Sequence, residues 1–185
     1  MFVLAIVGLS GVGKSTLIGQ FEKELPLRHF TASELIKSEL ALRESQVATS
    51  EELRLGPVVD NQILLGSAFA RRTEGLEGPV VLDGHVVIDG ASGLVDIPAS
   101  VFGGLGVQHM LFIRASANEV AERRQKDALR ARPQRTITEI TAHQEHALRR
   151  AKTITGQLGI PLAVLDVSNK EAICQLSISL RNLSI

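Results

Sequence analysis

Gly8-Leu9-Ser10-Gly11-Val12-Gly13-Lys14-Ser15-Thr16 follows directly on the apolar run Phe2-Val3-Leu4-Ala5-Ile6-Val7 and fits the pattern G-x-x-x-x-G-K-[ST] without deviation. The uncharged run closed by a glycine reads as a buried strand. From Lys14 to Leu25, residues Leu17, Ile18, Phe21 and Leu25 fall on one face of a helix. A strand, a glycine-rich turn and a helix in that order make successive backbone N–H groups and the positive helix end converge, which suits an oxyanion. The stretch therefore predicts that Gly8, Ser10, Gly11, Val12, Gly13, Lys14, Ser15 and Thr16 bind a nucleoside triphosphate. Lys14 would reach its β- and γ-phosphates, and the Ser15 hydroxyl would ligate the Mg²⁺ that bridges them.

Outward from this loop, short β-branched runs alternate with helical stretches, the signature of βαβ units and of a parallel sheet covered on both faces. The runs are 2–7, LRHF at 27–30, PVVLD at 79–83, VQHMLFI at 107–113 and PLAVLDV at 161–167. An α/β fold of three layers with a five-stranded sheet is expected. Thr31 with Glu34, Thr49 with Glu52, Ser116 with Glu119 and Thr136 with Glu139 each match the S/T-x-x-E capping box and mark helix starts, while Pro26 and Gly159 mark stops. A charged helix is expected from Ser116 to Arg132, running into an Arg-rich stretch. A long one is expected over about 138–158, with Ile140, Ala147, Ala151 and Ile154 turned to the core. Residues 90–106 read as the longest loop, and 31–56 and 128–136 as mobile inserts.

The chain has 185 residues, 44% of them hydrophobic and 22% charged, which suits one compact core and argues against global disorder. Its 20 basic and 20 acidic residues cancel, so the overall field that draws a chain to nucleic acid or an anionic membrane is missing. Six Phe with no Trp or Tyr leave few platforms for base stacking, a further argument against a nucleic-acid partner. Cys174 alone cannot form an intrachain disulfide, and a reducing cytoplasm is the expected compartment. The run 2–7 is too short to span a bilayer, so no membrane partner is expected.

A hydrophobic strand ending in an acid near the phosphate loop would hold Mg²⁺ or orient an acceptor, and PVVLD ending in Asp83 has that form. Asp166 ends PLAVLD in the same way, and either residue could instead cap a turn. Asp83 is preferred because it lies where a central strand would follow the first crossover. His85, two residues on, falls at the strand edge where ligands bind in such sheets. Arg123, Arg124, Lys126, Arg130, Arg132 and Arg135 crowd one stretch. Most charges on a helix form a solvated face, and Arg123 could be no more than that. Guanidiniums in a loop-prone lid, however, suit bidentate clamping of phosphate, and Arg124, Arg130 and Arg132 are expected to do this.

A GTPase should carry N-K-x-D, and Asn169-Lys170-Glu171-Ala172 lacks the acid. AAA-type and transport ATPases ordinarily need more chain for their further modules. A small phosphotransferase remains. The chain resembles the nucleoside monophosphate kinases, and more closely the short-lid adenylate kinases of archaeal type. Asp83-Gly84-His85 looks like that subfamily's Asp-x-His, Arg123-Arg124 with Asp127, Arg130 and Arg132 looks like its short lid, and His143-Gln144 looks like a family feature.

The resemblance implies a single P-loop kinase domain over 1–185, with strand order 2-3-1-4-5, a helical monophosphate-binding insert at 31–75 and a short lid at 124–136. It implies in-line transfer of the ATP γ-phosphoryl group to a nucleoside monophosphate, AMP first, with Mg²⁺. Lys14, Asp83, Arg124, Arg130 and Arg132 would carry the transfer, Ser15 and Asp83 would hold the metal, and Thr31, Ser33, Lys37 and His85 would bind the acceptor. Lys37 stands where these kinases usually have an arginine, replacing a planar fork with a point charge. Ala32 replaces a hydroxyl, and His85 and Val86 occupy the place of a D-G-F-P-R element, so AMP as acceptor is the weakest part of the resemblance. Two alternatives stay open: a kinase for a small hydroxylated metabolite, with Asp83 as base, and an ATPase switch acting on a protein or RNA partner. Archaeal relatives are often trimeric, so a homo-oligomer is admitted, although no surface of the sequence reads as an interface.

Overall fold

The computed structural model describes residues 1–44, 58–90, 93–127 and 133–182. Five parallel strands form the main sheet: β1 (Phe2–Val7), β2 (Arg28–Thr31), β3 (Pro79–Asp83), β6 (His109–Arg114) and β7 (Leu162–Asp166). They lie in the order β2-β3-β1-β6-β7, which is 2-3-1-4-5 when main-sheet strands are counted along the chain. Ile6 and Thr31 both pair with Asp83, so β1, β2 and β3 end level and deliver the phosphate loop and Asp83 to one sheet edge.

Alternation along β1 divides the interior into two cores. Leu4 and Ile6 pack with Leu17, Ile18 and Phe21 of α1 (Lys14–Glu24), with Val120 of α5 (Ala117–Lys126) and with Leu180 of α7 (Lys170–Asn182). Val3, Ala5 and Val7 face the other way. They meet α2 (Ala32–Glu44), α3 (Val58–Thr73), α4 (Ala99–Gly104) and α6 (Ile137–Leu158), through Ile36, Leu65, Phe102 and Ala151 among others. This is the expected three-layer α/β arrangement. Burial of a side chain such as Phe21 or Phe112 contributes about 1.5–3 kcal/mol. Among the described residues no helix is long and apolar enough to cross a membrane.

Of the three capping boxes on described residues, two are complete: Ser116 and Glu119 close on α5, Thr136 and Glu139 on α6; Thr31 precedes α2 as expected but is the last residue of β2. Gly159, at φ 66°, ends α6 as expected. The box at Thr49 and Glu52 lies outside the described residues, as do parts of 31–56 and 128–136.

Three readings need correction. The stretch 90–106 is not one long loop. Val87–Gly90 (β4) and Gly93–Asp96 (β5) pair antiparallel, and α4 follows. The glycines that suggested a loop surround apolar anchors, since Val87, Ile97 and Phe102 are buried. The charged helix ends at Lys126, where Asp127 leaves helical geometry at ψ 67°, rather than continuing to Arg132. Helix α7 was not anticipated, although Ile173, Leu176 and Leu180 give it an apolar face.

Candidate active site

The phosphate loop leaves β1 so close to β6 that a Cβ on Gly8 would lie 2.4 Å from the Ile113 carbonyl oxygen. Only glycine fits there. Gly13 is the N-cap of α1 at φ 104° and brings no capping side chain, so the first-turn N–H groups are left for an anion.

Lys14 is buried, and its Nζ donates to the Gly8 carbonyl oxygen at 3.3 Å. The same Nζ lies 3.7 Å from Asp83 Oδ1 and 3.3 Å from His85 Nε2. The Ser15 hydroxyl donates to Asp83 Oδ2 at 3.5 Å. A hydroxyl and a carboxylate oxygen this close are hard oxygen donors, and Ser15 and Asp83 would suit a small divalent cation, which would supply positive charge beside a bound phosphate. Among the described residues no group of three or more His, Cys, Asp or Glu side chains forms a metal cage.

Asp166 has other work. It accepts from the Ser168 N–H at 3.0 Å and from the Ser168 hydroxyl at 2.7 Å, and lies 3.7 Å from Arg114. Burial alone would raise its pKa, but the Ser168 hydrogen bonds and Arg114 hold the carboxyl below its ordinary value. It caps the turn after β7, with β1 and β6 between it and β3.

The arginines sort differently from their reading in sequence. Arg123 is more than a solvated charge: it donates from Nη1 to the Val12 carbonyl at 2.9 Å and from Nη2 to Glu119 at 3.1 Å. Arg124 donates from Nε to the Ser10 carbonyl at 2.9 Å, its stem lying over Gly11, and its Nη1 is 3.4 Å from Asp89 Oδ2. Arg130 and Arg132 lie outside the described residues. Arg135 forks onto Asp89 Oδ1 from Nε at 3.2 Å and Nη2 at 3.0 Å. His143 Nδ1 lies 3.6 Å from Asp89 Oδ2, and Gln144 clamps both backbone groups of Ala115 just beyond β6. Asp89 has no place in the sequence reading, and Arg135 figures there only as one of the crowded arginines; the signal available for Asp89 is the short Val87-Ile88 run before Gly90.

A cavity opens beside the loop. Leu9 and Ser10 form its loop side, Gly84 and His85 its floor, Ser33 and Ile36 of α2 one wall and Asn61 and Leu65 of α3 another; Ile88, Asp89, Phe102 and Arg124 close it. Of the residues expected to bind the acceptor, Ser33 and His85 line this cavity, and Thr31 and Lys37 are not among its lining residues. Glu39, 1% exposed, braces the two helical walls: its Oε1 accepts from Arg43 on α2 at 2.9 Å and from Arg71 on α3 at 3.1 Å. The Arg71 hydrogen bond holds its carboxyl below the usual range.

A phosphate loop, a level carboxylate and an adjoining cavity on this sheet define a P-loop phosphotransferase of the kinase type. The chain belongs to the AAA domain family, which it matches over residues 7–141. Length argues against AAA-type ATPases, yet the match runs from the end of β1 into α6. Adenylate kinase from Pyrococcus horikoshii is 29% identical over 176 residues, covering 92% of this chain and 87% of that protein. Adenylate kinase from Thermococcus sibiricus is 28% identical over 174 residues with the same coverage, 92% and 87%. The fold is shared with shikimate kinase from Bacteroides thetaiotaomicron, at TM-score 0.59 and 15% identity over 98% of this chain and 97% of that one. It is shared too with a gluconokinase from Sinorhizobium meliloti 1021, at TM-score 0.53 and 16% identity over 99% and 93%.

Proposed function

We propose that the protein transfers the γ-phosphoryl group of Mg-ATP to a nucleoside monophosphate, AMP first, in the cytoplasm. One observation carries this reading: Leu9 and Ser10 of the phosphate loop line the same cavity as helices α2 and α3. Hydrolysis needs only a water beside the γ-phosphate, whereas a walled cavity opening at that point has room for a second substrate. The similarity to archaeal adenylate kinases over most of the chain supports the nucleotide acceptor.

In this reading the loop amides and the α1 N-terminus hold the β- and γ-phosphates, and Lys14 leaves the Gly8 carbonyl to meet them. Ser15 and Asp83 hold Mg²⁺, which when bound neutralises phosphate charge. The attacking atom is an oxygen of the acceptor phosphate, so the protein supplies no nucleophile. Its contribution is alignment, with Ser33 and His85 on the acceptor and Arg124 at the junction of the two sites. Arg130, Arg132, Thr31 and Lys37 keep the parts given to them by the resemblance, within an acceptor insert at 31–75 and a lid at 124–136.

One observation favours a second reading. Ile36, Leu65, Ile88 and Phe102 make much of the cavity wall apolar, and among the described lining residues Arg124 is the one lysine or arginine. That suits a small hydroxylated acceptor, whose proton Asp83 would accept.

A chromatographic assay with Mg-ATP, alone and with AMP, CMP, GMP, UMP or dTMP, separates these readings. AMP disappearing as ADP forms, with no reaction by Lys14→Ala, is the expected result. ATP hydrolysed without loss of any monophosphate overturns it and directs the search to hydroxylated acceptors or to a macromolecular partner.

A further inference from the structure

We infer that Asp89 is a positioning residue that sets the Arg124 guanidinium between the phosphate loop and the acceptor cavity and holds back its charge until a phosphate competes for it. This rests on the kinase reading of the same site. Asp89 lies in the β4–β5 hairpin, four residues beyond His85 and outside every motif, with its side chain 8% exposed. Three groups from beyond the hairpin converge on it: Arg124 of α5, Arg135 before α6 and His143 of α6. Glu139, half-exposed and 3.9 Å from Arg135, is the other carboxylate at the cluster.

The contacts are unequal, and the inequality assigns the roles. Arg135 grips Asp89 Oδ1 with two nitrogens, at 3.0 and 3.2 Å, and also donates to the Gly90 carbonyl at 3.3 Å. It is the anchor. Arg124 reaches Oδ2 through Nη1 at 3.4 Å, well beyond the usual length of about 2.7–2.9 Å for a charge-assisted bond. Its shorter bond is at the other end, from Nε to the Ser10 carbonyl at 2.9 Å. The guanidinium is thus moored to the phosphate loop and only loosely matched to Asp89. Both residues line the cavity, so a phosphate entering there competes with Asp89 for Arg124.

Charge gives the sign of the test. Arg124 and Arg135 against Asp89 leave this trio at +1, and Asp89→Asn takes it to +2. Removing the carboxylate should therefore strengthen ATP binding while leaving Arg124 badly aimed for transfer. A purely structural residue would lose binding and turnover together.

The experiment is calorimetric titration of Mg-ATP, without acceptor, into wild type, Asp89→Asn, Arg124→Gln and the double variant, with kcat and KM measured on the acceptor the wild type accepts. Asp89→Asn is expected to bind ATP about 3- to 10-fold tighter, because an Arg124 guanidinium no longer shared with Asp89 turns to the phosphates at close range, where its charge is little screened. Its kcat should fall about 10-fold or more through lost alignment. In the Arg124→Gln background the same change should move ATP affinity less than about 2-fold, since its partner is gone. Weaker ATP binding by Asp89→Asn, or an equal shift with and without Arg124, overturns the inference. Should Asp89→Asn fail to fold, Arg135→Gln reverses the sign: it removes the anchor, frees Asp89 to hold Arg124, and should weaken ATP binding about 3- to 10-fold. Unchanged or tighter binding by that variant overturns the inference equally. A wild type that transfers phosphate to no acceptor defeats the kinase reading instead, while the ATP titrations still decide the role of Asp89.

Discussion

The phosphate loop and the hairpin wall of the cavity stand one arginine apart and are built on opposite plans. The loop is contiguous, its donors are backbone amides, and its shape is enforced where the Ile113 carbonyl leaves no room for a Cβ on Gly8. The wall is assembled from side chains of several elements: Asp89 from β4, Phe102 from α4 and Arg124 from α5. A backbone cradle tolerates changes in its surroundings, because amides carry their dipoles wherever the chain holds them. A side-chain wall depends on packing and on the balance of a few charges, so damage there should spread between stability and binding.

The largest expected effect lies in the loop. Lys14→Ala should lower turnover about 10³-fold or more by removing a charge that meets the transferring group, with the thermal midpoint little changed. Steady-state kinetics beside a melting curve would show it, and a large loss of stability would break the contrast. Phe102→Ala makes the converse change in the wall. It should cost about 3–5 kcal/mol of stability, the cavity penalty for a buried aromatic, read as a lower midpoint in urea.

Asp83→Asn should reduce kcat about 100-fold and raise the Mg²⁺ concentration needed for half-maximal rate, read from a magnesium titration at fixed ATP. A rate loss without any change in magnesium requirement would move Asp83 from the metal to the acceptor. Thr136→Ala is the smallest test. Loss of its cap should cost about 1 kcal/mol, with little effect on ATP binding. The Thr136 backbone N–H and hydroxyl hold the Glu139 carboxyl below its ordinary 4.5. The box therefore stabilises the fold above that pH and loses its contribution as pH falls through the lower, folded value. Denaturation curves from pH 6 downward should converge for wild type and Thr136→Ala; a gap that widens on acidification would contradict the capping box.

Legibility in the sequence followed the same division. The loop, its flanking strand and helix, and Asp83 at the end of an apolar run are each written in adjacent residues, and so are the capping boxes at Ser116 and Thr136. Asp89 carries no local pattern, because what distinguishes it is two arginines that follow far along the chain. The hairpin around it was read as loop because two strands of four residues, joined near Gly90 and Gly93, give too short an alternation to compete with their glycines. The loop contact of Arg123 is hidden from the sequence for a related reason. Helical spacing says which face a charge is on, and only the fold brings the Val12 carbonyl to that face. Lys37 fits the resemblance by position, yet the cavity is lined by other residues of α2, a matter of helix rotation that position alone does not convey.

The Glu39 brace has a mechanical consequence. Its carboxylate is sealed from water and bonded to Arg43 on its own helix and to Arg71 on the next. Sliding α2 along α3 would strip the Arg71 bond from a buried carboxylate, whereas tilting both together leaves it intact. The two helices therefore behave as a single stiff plate. When the cavity adjusts to what enters it, its mouth should widen or narrow about the ends of β2 and β3, while the spacing between the helices stays nearly constant.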